Sequence, residues 1–142
     1  MSLSDAARDR FAGLVQHVSA DPETVRTTHL EGGVYEVEVR VGERRTQLLV
    51  AALVEEDGDA LVGAFSFIGP AHPAMYERAL RANADLRYGR IAIVQQEGRA
   101  MLAVVDEAVL DELADRELFN SLHEIARAAD RLEDELFGGD EE

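Results

Sequence analysis

The chain has 142 residues and carries 29 acids against 14 bases, for a net charge of −15. It has no cysteine, which excludes disulfides, thiolate metal sites and cysteine nucleophiles. So negative a chain repels phosphate backbones, which argues against a nucleic-acid partner, and it attracts basic or amphipathic polypeptides.

The length fits one α+β domain over residues 1–142, with flexible ends at 1–3 and 138–142, and it needs no metal or disulfide to fold. The opening Met1-Ser2-Leu3-Ser4 begins no apolar signal segment, and no apolar run reaches the roughly 18 residues that span a bilayer. A soluble, cytoplasmic protein without a membrane partner is the expectation. Residues 4–19 read as a helix capped by Ser4 or Asp5, with Phe11, Leu14, Val15 and Val18 at helical spacing. Asp21-Pro22 ends it, and 22–32 reads as a polar connection closing on Gly32-Gly33.

Three strands are expected next. Tyr35, Val37, Val39 and Val41 alternate with polar residues, which gives one buried and one wet face. Gly42-Glu43 turns the chain into Thr46–Val54, which is apolar on both faces and so reads as a central or doubly covered strand. The acidic turn Glu55–Asp59 leads to a third strand, Ala60–Ile68, ending at Gly69-Pro70. Pro73 opens a second helix with Met75, Ala79, Ala82 and Leu86 on its apolar side. Asn83 is expected to satisfy carbonyls at its end, and Gly89 to supply a left-handed cap just beyond it. Tyr88 is expected to cover core with its ring. Ile91–Gln95 and Arg99–Val105 form a hairpin around Gln96-Glu97-Gly98. A last helix runs from Asp111 to Phe137 on the stripe Leu118, Leu122, Ile125, Ala129, Leu132 and Leu136. The order α-β-β-β-α-β-β-α predicts an antiparallel sheet of about five strands with helices packed on it.

No catalytic pattern survives inspection. His17, His29, His72 and His123 fall in four different elements. His123-Glu124-Ile125-Ala126-Arg127 lacks the second histidine, one turn on, that a zinc protease helix needs. Gly32-Gly33 precedes a strand, whereas a phosphate loop follows one and opens a helix. Glu55–Asp59 lacks the ligand spacing of a calcium loop. No catalytic, cofactor or metal residue is assigned, and no enzyme is expected. The alternative from another class is an anionic-ligand site assembled from Arg44, Arg45, Arg87 and Arg90.

The run Leu80–Ile93, with Asn83, Leu86, Tyr88 and Gly89, together with the closing stretch Ile125–Asp130, resembles the YbjN family. That family shares its fold with the class I type III secretion chaperones of the CesT kind. The resemblance implies a non-enzymatic, chaperone-like homodimer that binds polypeptide, or alternatively a dedicated secretion-effector chaperone. Asn83, Tyr88 and Gly89 are then signature positions of the fold. The small residues and methionine on the second helix (Met75, Ala79, Ala82 and Leu86) become expected dimer or partner contacts.

Overall fold

Ser4 accepts a hydrogen bond from the Ala7 amide at 3.0 Å and opens helix α1 (Asp5–Ala20). The computed structural model describes residues 4–138, so the expected flexible ends, except at Gly138, lie outside the described residues. After α1 come β1 (Thr24–Glu31), β2 (Val34–Gly42), β3 (Arg45–Glu56) and β4 (Asp59–Pro70). A 3-10 turn at Pro73–Met75 leads into α2 (Tyr76–Asn83), and β5 (Arg90–Gln96) and β6 (Arg99–Val109) follow. A second 3-10 turn at Leu110–Glu112 precedes α3 (Glu117–Phe137). The fold is α+β, as expected, with six strands in place of about five.

The strands form one antiparallel sheet in the order β1-β2-β3-β4-β6-β5. The added strand is β1, where a polar connection was expected. Its sequence, Thr-Val-Arg-Thr-Thr-His-Leu-Glu, shows no apolar alternation because it is an edge strand with little to bury. Its threonines and Val25 still favour extended backbone.

α1 and α3 lie on one face of the sheet. α3 crosses β2, β3, β4 and β6, while α1 lies beside α3 and β1. Ile125, Ala126 and Ala129 on α3 are fully buried against this face, as are Val39 and Ala51 of the sheet. The expected stripe on α3 is the stripe that is buried. The expected start at Asp111 is corrected, because β6 runs on to Val109 and regular helix begins only at Glu117. There the Glu117 carboxylate accepts a hydrogen bond from the Ala114 amide at 2.6 Å, which anchors the first turn. Leu110 and Leu113 fit the helical spacing, but they reach the core from the 3-10 turn and the bend after it.

The second helix is also shorter than expected. α2 ends at Asn83, six residues before Gly89, and Ala84 keeps right-handed geometry at its C-cap. Gly89 does adopt a positive φ of 75°, but it does so next to β5 and not as the helix cap. A Cβ there would lie 2.7 Å from the Val105 carbonyl oxygen of β6. Glycine is required because two backbones meet at that point.

Candidate functional site

α2 and β5 are joined by Asn83. The Ile91 amide donates to Asn83 Oδ1 at 2.6 Å, and Asn83 Nδ2 donates to the Ile91 carbonyl at 3.3 Å. The side chain bonds the strand, not the carbonyls of its own helix. It imitates one peptide unit of a neighbouring strand. In an antiparallel ladder both backbone groups of a residue face the same side. Ile91 therefore faces the free edge, and so do Ile93 and Gln95, two and four residues on. Asn83 occupies the first of these three positions and leaves the next two open.

Beside this edge, α2 and β5 enclose a groove of about 230 Å³ lined by Tyr76, Ala79, Leu80, Ile91, Ile93 and Leu102, among others. Leu80 is 69% exposed and Ile93 49%. Met75, Ala82 and Leu86 pack against the protein's own core, and Ala79 is buried. The outward apolar residues at this place are therefore Leu80 and Ile93, which no periodicity singled out. Tyr88 is nearly half exposed. It borders a shallow depression with Leu86, Arg87, Arg127 and Arg131.

The two sheet edges differ in chemistry. β1 carries Arg26, His29 and Glu31, and its pairing with β2 slips near both ends. Charges and bulges of this kind blunt an edge. β5 has no charged residue from Ile91 through Gln96, no proline and an unbroken register with β6.

No helix lies on the opposite face of the sheet among the described residues. Its register brings Val50, Phe65 and Val105 into one row and Val54 and Leu61 into another. Phe67 pairs with Ala103, and Phe65 and Phe67 meet edge to face at 5.2 Å. Leu48 and Val54 are nearly half exposed. The second apolar face of β3, which its sequence led us to expect in a central or doubly covered strand, is central but covered on one side only.

The four arginines of the ligand alternative are not brought together. Arg45 bonds the Asp130 carboxylate of α3. That bond and the Asp130 charge, with Asp134 and Glu133 beyond, raise its proton affinity further. Arg44 lies in the turn before β3. Arg90 is on the helix-free face, 3.9 Å from Glu107. β3 and β5 stand three strand spacings apart, roughly 14 Å. Arg87 belongs to the depression on α3.

Among the described residues, no three His, Asp or Glu side chains gather as metal ligands. The His29 ring lies tilted against Tyr35 with centroids 4.8 Å apart, and its Nε2 shares a 2.7 Å hydrogen bond with the Gly32 carbonyl. His123 stacks on Phe119. No helix among the described residues is long and apolar enough to cross a membrane.

The resemblance carried by Asn83, Tyr88 and Gly89 is decided by a comparison over nearly the whole chain. A family model, YbjN, matches residues 9–138. The chain belongs to the YbjN family. The family is described as "Putative bacterial sensory transduction regulator". No curated protein matches the chain. For this YbjN-family chain the match covers every helix and strand, apart from the first turn of α1. It supports a regulator-like domain.

Proposed function

We propose that this YbjN-family domain is a non-enzymatic, chaperone-like regulator that works by binding polypeptide, and that it is a homodimer joined through β5 and α2. The observation that carries the reading is the β5 edge, which is uncharged from Ile91 to Gln96, open beyond Ile91 and flanked by Leu80 and Ile93. In a chain of net charge −15, two copies meet at lowest electrostatic cost where neither presents charge. An exposed edge of this kind is a template for another strand.

The Asn83–Ile91 bonds would limit the register of such a pairing. With Ile91 occupied, Ile93 and Gln95 are the residues left to pair. An antiparallel twofold pairing places Ile93 against Gln95 of a second copy, and Val94 on the axis. The six-stranded sheet would then continue into its copy, and Leu80 and Ile93 of the two protomers would close over each other. The helix-free faces would lie on the same side of the joined sheet.

Light scattering on the eluting peak of a gel-filtration column tests this reading. The expected mass at about 50 µM is twice the 15.6 kDa of one chain. A single-chain mass held up to about 500 µM would overturn the dimer.

A further inference from the structure

We propose that the helix-free face of the sheet docks a cationic amphipathic helix. The proposal rests on the polypeptide-binding reading above and names the surface and the chemistry of the partner.

Size is the first argument. The apolar panel runs from Leu48 to Val54 along β3, seven residues whose six steps span roughly 20 Å. Across β3, β4 and β6 it measures roughly 9 Å, with Ala92 of β5 added beside Ala103 and the Arg90–Glu107 pair at its border. A helix is about 10–12 Å wide, and four turns of it are about 22 Å long. One such helix, laid along the strands, covers the panel. An added strand would use the edge and leave this face bare.

Relief is the second argument. Gly63 sits between Ala52 and Glu107 in one register row, while Val50, Phe65 and Val105 form the row beside it. A Cβ on Gly63 would meet only Glu107 Cγ, at 3.9 Å. Ala52 and Gly63 leave a furrow between two ridges, closed at the β6 end by Glu107, a shape that receives the side chains of a helix.

Charge decides the sign of the partner. Glu36, Glu56 and Asp59 project on this face around the panel, as their alternation with buried neighbours requires. Their carboxylates make no hydrogen bond or ion pair among the described residues. Glu38 is held by Arg26 at 2.8 Å, and its other oxygen takes a hydrogen bond from Thr46. Arg40 and Arg99 are bases on this face whose side chains have no partner among the described residues, and they are outnumbered by the free carboxylates. The rim is therefore acidic. A second copy stacked face to face would set the same carboxylates against one another, whereas a helix with a Lys/Arg polar face would neutralise them.

Fluorescence anisotropy with three synthetic 18-residue peptides tests the proposal. One carries a Leu stripe with a Lys polar face and one the same stripe with a Glu polar face. The third has the composition of the first, scrambled to abolish the stripe. The expected result is that the cationic stripe peptide binds at least tenfold more tightly than either of the others. Leu48→Gln with Val54→Gln leaves the charge unchanged and should weaken that binding at least tenfold. Glu36→Gln with Asp59→Asn should weaken it severalfold and flatten its salt dependence, and these two surface changes serve if the first pair fails to fold. Equal binding of the striped and scrambled cationic peptides, or binding unmoved by Leu48→Gln with Val54→Gln, would overturn the proposal. Binding lost only in Leu80→Glu with Ile93→Glu would also overturn it, while leaving polypeptide binding in place at the β5 edge. Light scattering on the same samples reports the dimer separately.

Discussion

Alanine at Gly89 is expected to cost about 3 kcal/mol of stability and to loosen β5 from β6. Two causes add. A non-glycine residue at φ 75° is strained by about 1–3 kcal/mol. The new methyl would also stand 2.7 Å from the Val105 carbonyl oxygen and 3.2 Å from Val104 Cγ1. The oxygen belongs to the backbone of a paired strand and cannot turn aside, so crowding adds about 1–3 kcal/mol. Gly98 is the control. It has a similar φ of 81°, but a Cβ there meets nothing, so Gly98→Ala should show strain alone, about 1 kcal/mol. Urea titration of both variants measures the difference. Equal losses at the two positions would mean that the Gly89–Val105 approach contributes nothing.

The second large effect is on assembly. Leu80→Glu together with Ile93→Glu is expected to weaken the dimer by at least about 100-fold, equivalent to about 2.7 kcal/mol. Both side chains point outward, so the protomer loses little packing. In the dimer they would place four carboxylates around one axis of an already acidic pair. Light scattering should show the single-chain mass, and circular dichroism should show an unchanged fold. A variant that keeps the double mass would remove Leu80 and Ile93 from the interface.

The helical stripes were legible because their spacing is local. Phe11 to Val18 on α1 and Leu118 to Leu136 on α3 are buried as read. The alternation in β2 likewise gave its buried face, Val37 and Val39. β1 was not legible, because a strand that buries almost nothing carries no apolar period. The partners of Asn83 and Gly89 were hidden for another reason. Asn83 bonds a strand eight residues on, and Gly89 meets β6 sixteen residues on, so both contacts exist only once the sheet is assembled. The second apolar face of β3 was visible in Thr46–Val54. Whether this chain or another covers it is a property of the whole fold. The stripe Met75, Ala79, Ala82 and Leu86 was read correctly as apolar, and its direction in space is toward the protein's own core.

The most direct test of the dimer uses the absence of cysteine from the chain. In the proposed twofold pairing, Val94 would face Val94 of the second copy as a non-hydrogen-bonded pair. Such pairs have Cα atoms about 4.5 Å apart, within disulfide range. Val94→Cys should therefore cross-link into a covalent dimer under mild oxidation, seen on a non-reducing gel, while Thr28→Cys on the opposite edge should not. A Val94→Cys protein that elutes at the double mass yet forms no disulfide would contradict the β5 interface.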